Sequence, residues 1–467
     1  MRQILIEHGF GETRLALVEG DRLTEFRLSR GEDWYRPGSI HLGRVMSVDS
    51  GLDAAFVEIG AERPGLLPLR DAGKRSVSAG DAILAQVTRS AIEGKGVRLS
   101  ARLAISGRGM ALRPGRSGIA FPPNLYDPEE RERLRSALKS VLSPETGFAV
   151  ERGAAGLSPE LLRAEAERLV AEWQRLVTEA GTARPPRALS TGPDVVERAL
   201  LDWASPSLDI VTNDPSLAAS VSTLLSGRLP DVSASSRMDS RPALFEAEGI
   251  EEQLEAALSP QAPIRGGGFL LIEPGRTLTA VDVNSGGDDR RPREINLVAA
   301  EEIAHQLRLR AIGGLVVIDF IDLRTPSARG PVLERLTQAL LPDPAGCELA
   351  GATRLGLVEL TRRRTGPSLA ELLTEPCGFA GGGRVRRIET IGTQLLRRVA
   401  GEARATPGRP IVLHCAPELG TAFAGVLADG VAELEARLGR PLPIVADPSL
   451  KREDAHIKVD ERSGTHR

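Results

Sequence analysis

Two short runs hold residues able to do chemistry on a charged ester. In LTAVDVNS the period of a strand places Leu278, Ala280, Asp282 and Asn284 on one face, so a carboxylate and an amide project together from the strand's carboxyl end. In GGLVVIDFIDL, Asp319 interrupts an otherwise apolar strand near its carboxyl end, and Asp322 faces the opposite side if that strand stays regular. Between the two runs, INLVAAEEIAHQLRLRAI has the spacing of an amphipathic helix. Strand, helix, strand is a crossover unit, which predicts two parallel strands in one sheet. Ligands of such sheets collect outside the carboxyl ends, where both Asp residues stand. Two converging carboxylates beside a neutral Asn form a hard, oxygen-rich site suited to Mg²⁺. The chemistry implied is metal-assisted phosphodiester hydrolysis. An Asp that ends a strand also serves to cap the following turn, and spacing alone leaves both roles open.

A second set points to a polyanion. AAFVEIG puts Ala55, Val57 and Ile59 on one face and Phe56 with Glu58 on the other, exposing an aromatic among charges in a chain with ten Phe, three Trp and two Tyr. An outward Phe on a small barrel is a stacking platform for single-stranded bases; cover by a neighbouring domain is the alternative. Lys95, in the turn EGKGVR, is placed to meet a phosphate or to sit in solvent, and the run Arg362 to Arg364 has the same two readings. The glycine-rich RGGGF and AGGGR match neither a Walker loop nor a dinucleotide fingerprint, so they read as turns and no nucleotide cofactor is supported. His305 has no partner at metal spacing and reads as a packing or surface residue.

The elements that must position these residues follow from periodicity. The opening QILIEHGFGETRLALVEGDRLTEFRL alternates around Gly and Asp turns as two or three antiparallel strands, too short to stand alone. From about Tyr35 to Arg102, IHLGRVMSV, LDAAFVEIG, GLLPL, AILAQVTRS and VRLSARL give five strands, the count of a small OB-type barrel. LLRAEAERLVAEWQRLVTE, Leu161 to Glu179, is helical, and ARPPRALSTGPD after it reads as a linker. Beyond Arg364, a glycine-rich link leads to a helix near Ile388 to Val399, the strand RPIVLH and one helix near Leu419 to Leu438. The final DAHIKVDERSGTHR reads as frayed.

Length and composition bound these readings. A chain of 467 residues exceeds one ordinary core, so three or more packed units are expected. A hydrophobic fraction of 41% with 26% charged residues is that of a folded chain. No apolar run approaches the roughly 20 residues of a membrane helix, and the first residues lack a signal-peptide core, which predicts a cytoplasmic protein. Cys347, Cys377 and Cys415 form no CxxC pair and no disulfide framework. With 60 basic and 63 acidic residues, a phosphate-binding surface must be local rather than a property of net charge. The cations are nearly all Arg, a planar bidentate phosphate donor.

Taken together, GIEEQLEAAL, LTAVDVNSG, NLVAAEEIAHQLRLR, GGLVVIDFIDL and GLVELTRRR resemble the catalytic region of the bacterial ribonuclease E/G family, and DAAFVEIGAERPGLLPL resembles its OB-fold domain. The resemblance implies a Mg²⁺-dependent endoribonuclease specific for single-stranded RNA. It also implies a multidomain α/β and α+β fold: an OB-fold barrel inserted in an RNase H-like portion, a deoxyribonuclease I-like catalytic domain and a small C-terminal α+β domain. The boundaries expected on that pattern are 1–33 and 197–248 for the RNase H-like portion, 34–103 for the barrel and 104–196 for a 5′-sensor-like region. The catalytic domain then covers 249–368, a zinc-link region 369–384 and the C-terminal domain 385–460. Asp282 and Asp319 correspond to the metal ligands, Asn284 to their supporting amide, and Phe56, Lys95 and Arg152 to RNA contacts.

Three departures bear on function. The second stacking Phe of the family's GFLPL is Leu66 here, removing one π-face. The Arg-Thr-Ala-Gly run of the 5′ sensor becomes RGAAG, so Arg152 stands beside Gly153 instead of a Thr hydroxyl. The zinc link survives only as EPCGFAGGG with Cys377, too few thiolates for the shared structural zinc. A homodimer or higher homo-oligomer stays open. An RNA-binding protein of weak activity is the competing reading, and a metal-dependent deoxyribonuclease a third.

Overall fold

The computed structural model describes residues 2–31, 35–73, 76–91, 96–122, 127–241, 243–287, 289–323, 326–378 and 383–459. The chain divides into two compact units: Met1–Gly31, Ser205–Ser222 and Val232–Arg467 form one, Glu32–Ala204 and Thr223–Asp231 the other. Each unit holds more than one hydrophobic cluster, so several cores share a unit.

In the first unit the opening strands Arg2–Gly9, Glu12–Glu19 and Arg22–Arg30 pair antiparallel as expected. They do not stand alone. After the inserted second unit the chain returns with Ser207–Thr212, which runs parallel to Arg2–Gly9, and Ser233–Met238 completes a mixed five-stranded sheet. The helix Ile388–Ala405 is tied to this sheet by buried charge: Arg397 Nε lies 2.6 Å from Glu7 and its Nη1 2.8 Å from Glu12. Burial alone would raise both carboxyl pKa values, but the Arg14 and Arg397 guanidiniums bring them below the ordinary range. Removing one member of such a set strands a buried charge, at a cost of about 3–5 kcal/mol.

A second sheet in this unit has the order Gln261–Pro263, Phe269–Pro274, Leu278–Asn284, Gly314–Asp319, Val358–Arg362, Cys347–Ala352. Leu278–Asn284 and Gly314–Asp319 are parallel neighbours joined by the helix Pro292–Leu309, the crossover unit that the apolar spacing predicts. Val281, Val283, Val316 and Ile318 point from these strands into one core with Ile295, Ala299 and Ile303 of the helix. The alternate residues, Leu278, Asp282, Leu315 and Asp319, are exposed on the other face.

Two readings of the C-terminal part need correction. The stretch Leu419 to Leu438 is two helices, Pro417–Ala424 and Ala428–Leu438. The chain leaves the helical conformation at Gly425 and buries Leu427 while Val426 stays exposed. The supposedly frayed end contains the strand Ala455–Val459, paired antiparallel to Ile411–Cys415, with Ala455, Ile457 and Val459 half-buried against the local core.

The second unit contains the expected barrel. Ile40–Asp49, Ala54–Glu58, Gly65–Pro68, Arg98–Ser100 and Ala82–Arg89 pair in that order, and Ala82–Arg89 pairs back onto Ile40–Asp49, closing five strands in a manner compatible with an OB fold. The presumed linker holds a further strand, Arg187–Ser190, antiparallel to Ile40–Asp49, where Leu189 is buried. Residues 104–182 add a four-stranded sheet and the helices Pro128–Leu138 and Pro159–Thr182.

Candidate nuclease site and nucleic-acid interface

Asp282 and Asp319 lie directly opposite one another on adjacent parallel strands, which places their α-carbons about 5 Å apart. Both are exposed at the carboxyl ends of strands whose alternate residues are buried. Asn284, two residues on, donates from Nδ2 to Asp282 Oδ2 at 2.6 Å, fixing the orientation of that carboxylate. The strand from Gly314 ends at Asp319, so Asp322 lies in the irregular segment beyond it, exposed, and not on a strand's opposite face.

Two devices whose supporting role was not read from sequence hold these side chains. Asn296 sits on the buried face of the crossover helix with 0% exposure, among Ile295, Ala299 and Ala300. Its Nδ2 donates to the Ile321 carbonyl at 2.8 Å, and its Oδ1 accepts from the Ile321 N–H at 3.1 Å. One amide thus satisfies both backbone groups of a residue two positions past Asp319. The signal in the sequence was a polar residue on an apolar helix face, which demands partners when buried. The other device is the RGGGF turn. A β-carbon at Gly268 would stand 2.7 Å from the carbonyl oxygen of Asn284, so only glycine lets the turn lie against the end of that strand. Arg290 spans the same turn, donating to the Arg265 carbonyl at 2.6 Å. At the start of the crossover helix, Arg291 and Arg293 are exposed to solvent.

The basic run Arg362 to Arg364 divides. Arg362 is buried, with Nε 2.7 Å and Nη2 3.1 Å from the Asp343 carboxylate and Nη1 donating to the Ile312 carbonyl, so it is structural. Arg363 and Arg364 are exposed. His305 is half-buried in the crossover helix, and desolvation with nearby Arg22 pushes its pKa down to about 4, in keeping with a packing role.

The sequence model of the Ribonuclease E/G family matches residues 104–365. The chain belongs to that family. It is 27% identical to the Ribonuclease G of Escherichia coli (strain K12) over 483 residues, covering 97% of this chain and 99% of that protein. The Ribonuclease G of Haemophilus influenzae is 29% identical over 96% of this chain and 97% of its own length. The Ribonuclease E of a Nostoc species is 33% identical over 79% of this chain and 56% of its own.

The remaining positions expected from the ribonuclease E/G pattern fall in several places. Phe56 is half-buried on the outer side of the barrel, its neighbours Ala55 and Val57 fully buried within. Leu66 stands opposite Phe56 in register, so the position of the missing second ring adjoins the first. Lys95 lies outside the described residues. Arg152 opens the one-turn segment Arg152–Ala154 after the strand Thr146–Val150, and its side chain is not among those described. A β-carbon on Gly153 would run into the Arg108 carbonyl, so this backbone could not take a Thr without moving. Cys377 and Cys347 are half-buried and Cys415 is buried. Among the described residues, no group of three or more His, Cys, Asp or Glu side chains is arranged to hold a metal. No helix of the described residues is long and apolar enough to cross a membrane.

Proposed function

We propose that the chain is a Mg²⁺-dependent endoribonuclease that hydrolyses phosphodiester bonds of single-stranded RNA in RNA processing or decay. The observation that carries this reading is the in-register pair Asp282 and Asp319 with Asn284 bonded to Asp282. The donor set fits the ion: two exposed, adjacent carboxylates supply hard oxygens, and Mg²⁺ typically takes one or two from protein and completes its shell with water and substrate. Asp282 and Asp319 would hold the ion, which would supply an activated water and neutralise charge on the attacked phosphate. The chain's own residues do the rest. Asn284 holds the Asp282 carboxylate in one rotamer, Asn296 holds the segment after Asp319, and Phe56 offers a face on which a base stacks.

On this reading residues 249–368 form the deoxyribonuclease I-like catalytic domain. The mixed sheet built from both sides of the insertion supports an RNase H-like assignment for 1–33 and 197–248. Membership of the ribonuclease E/G family favours RNA over DNA as substrate, and relatives named Ribonuclease G align over nearly their whole length. Incubating purified protein with 5′-monophosphorylated single-stranded RNA, with and without Mg²⁺, and with DNA of the same sequence tests the proposal. RNA should be cut internally only with Mg²⁺, and DNA left intact. Cleavage without a divalent ion, or of both polymers alike, contradicts it.

A further inference from the structure

We propose that Arg98, with Arg89 beside it, continues the RNA track of the barrel past Phe56 and takes over part of the docking that a ring at position 66 would provide. The inference rests on the reading of the chain as an RNA-binding nuclease. Strand pairing sets out one row across the barrel's outer surface: Ser47 opposite Phe56, Phe56 opposite Leu66, Leu66 opposite Arg98, and Arg98 opposite Arg89. Val57, Leu67 and Leu99, next to Phe56, Leu66 and Arg98 along their strands, are fully buried, so those three face outward by alternation, and Arg89, past a register shift between Val87 and Arg89, is exposed at the strand's end. Neighbouring strands are about 4.8 Å apart, and the row follows the curve of the barrel, with Arg98 two strands and Arg89 three strands along the surface from Phe56. The row therefore runs from an aromatic through an aliphatic to two guanidiniums.

That order suits a single strand of nucleic acid, whose bases need a flat face and whose backbone needs cations. A guanidinium offers both, since it stacks on a π-face and donates in a planar fork to phosphate. The carboxylate facing Arg98 is Asp71, whose Oδ2 is 3.9 Å from Nη2, beyond hydrogen-bond distance, and the Arg98 side chain is 34% exposed. Arg89 is exposed. Leu66, between Phe56 and Arg98, gives apolar contact without a ring. Docking on this barrel is thus shifted from stacking toward charge, and its salt dependence should reveal the shift.

The test is the affinity of full-length protein for a fluorescein-labelled, 2′-O-methyl single-stranded RNA 15-mer in EDTA, titrated at several salt concentrations so that cleavage plays no part. Each phosphate contact on a single strand contributes about 0.7 to the slope of log K against log salt. Arg98→Ala should weaken binding about 5- to 30-fold and lower the slope by about 0.7, and the double change Arg89→Ala, Arg98→Ala by about 1.4. Phe56→Ala should weaken binding with the slope unchanged, and Arg98→Lys should restore the slope. Arg98→Gln, which keeps the aliphatic stem, replaces Arg98→Ala if the latter does not fold. Wild-type affinity and slope in the Arg98 and Arg89 variants would overturn the proposal while leaving the nuclease reading intact. A wild-type chain that fails to bind the RNA at all would overturn both.

Discussion

Replacing Asn296 tests how the second carboxylate is held. Its side chain is fully buried and makes two hydrogen bonds, both to the backbone of Ile321. Asn296→Leu keeps the branched shape of the side chain and removes both. Each bond is worth about 1 kcal/mol net, and each backbone group left without a partner costs about 1–3 kcal/mol if it stays dry. Ile321 is half-buried, so water reaches it in part, and the expected loss is about 2–4 kcal/mol. Asn296→Asp turns a carboxylate oxygen toward the Ile321 carbonyl in a fully buried site, so it should cost at least as much as Asn296→Leu. Urea unfolding midpoints give the stability order, and steady-state cleavage of a single-stranded RNA gives the consequence. The barrel is untouched, so KM should hold while kcat falls, the sign of a displaced catalytic group. An unchanged midpoint and an unchanged kcat in Asn296→Leu would refute the reasoning. A lower midpoint with an unchanged kcat would reduce Asn296 to a stabilising role.

On the barrel, Phe56→Ala should weaken single-strand binding by about 1–3 kcal/mol, the value of one stacked base, and by more than Leu66→Ala; equal and negligible effects in a binding titration would show that the ring is covered. Discrimination of the RNA 5′ end should be reduced, because Gly153 supplies no hydroxyl and a charge-assisted contact from Arg152 is what remains. Comparison of 5′-monophosphate and 5′-hydroxyl substrates decides this, and a large monophosphate preference lost in Arg152→Ala would show an intact sensor. His41 is fully buried beneath the Tyr35 ring, and desolvation pushes its pKa from 6.5 down to about 4. The unfolded chain takes up that proton below about pH 6.5 and the folded chain does not, so stability is full above pH 6.5 and declines toward pH 4, by about 3 kcal/mol in all. His41→Gln should flatten that part of the profile, and identical losses in wild type and variant between pH 7 and pH 5 would contradict the assignment.

The legible parts of this chain are those fixed by short-range rules. The period of two puts Asp282 and Asn284 on one face, and the crossover rule brings Asp319 beside them, because both depend on a single strand-helix-strand unit. The outward side of Phe56 follows from the same alternation. Elements whose evidence lies in a distant partner were missed. Arg187–Ser190 reads as a linker until Ile40–Asp49 is there to pair with it, and Ala455–Val459 reads as a frayed end until Ile411–Cys415 lies alongside. Arg362 looked like part of a phosphate-binding cluster because its neighbours are Arg, but Asp343, nineteen residues earlier, claims it for the interior. Asn296 was visible in principle as a polar residue on a buried helix face; what it holds, the backbone of Ile321, was not.

The central claim is that Asp282 and Asp319 form the hydrolytic metal site, and it is tested most directly by cleavage and binding measured on the same variants. Asp282→Asn and Asp319→Asn each replace a metal-ligating carboxylate with a group of nearly identical shape. Each should abolish Mg²⁺-dependent cleavage of single-stranded RNA while affinity for a non-cleavable RNA stays near wild type. Turnover close to wild type in either variant contradicts the claim, and unfolding of both would show instead that these residues cap the ends of their strands.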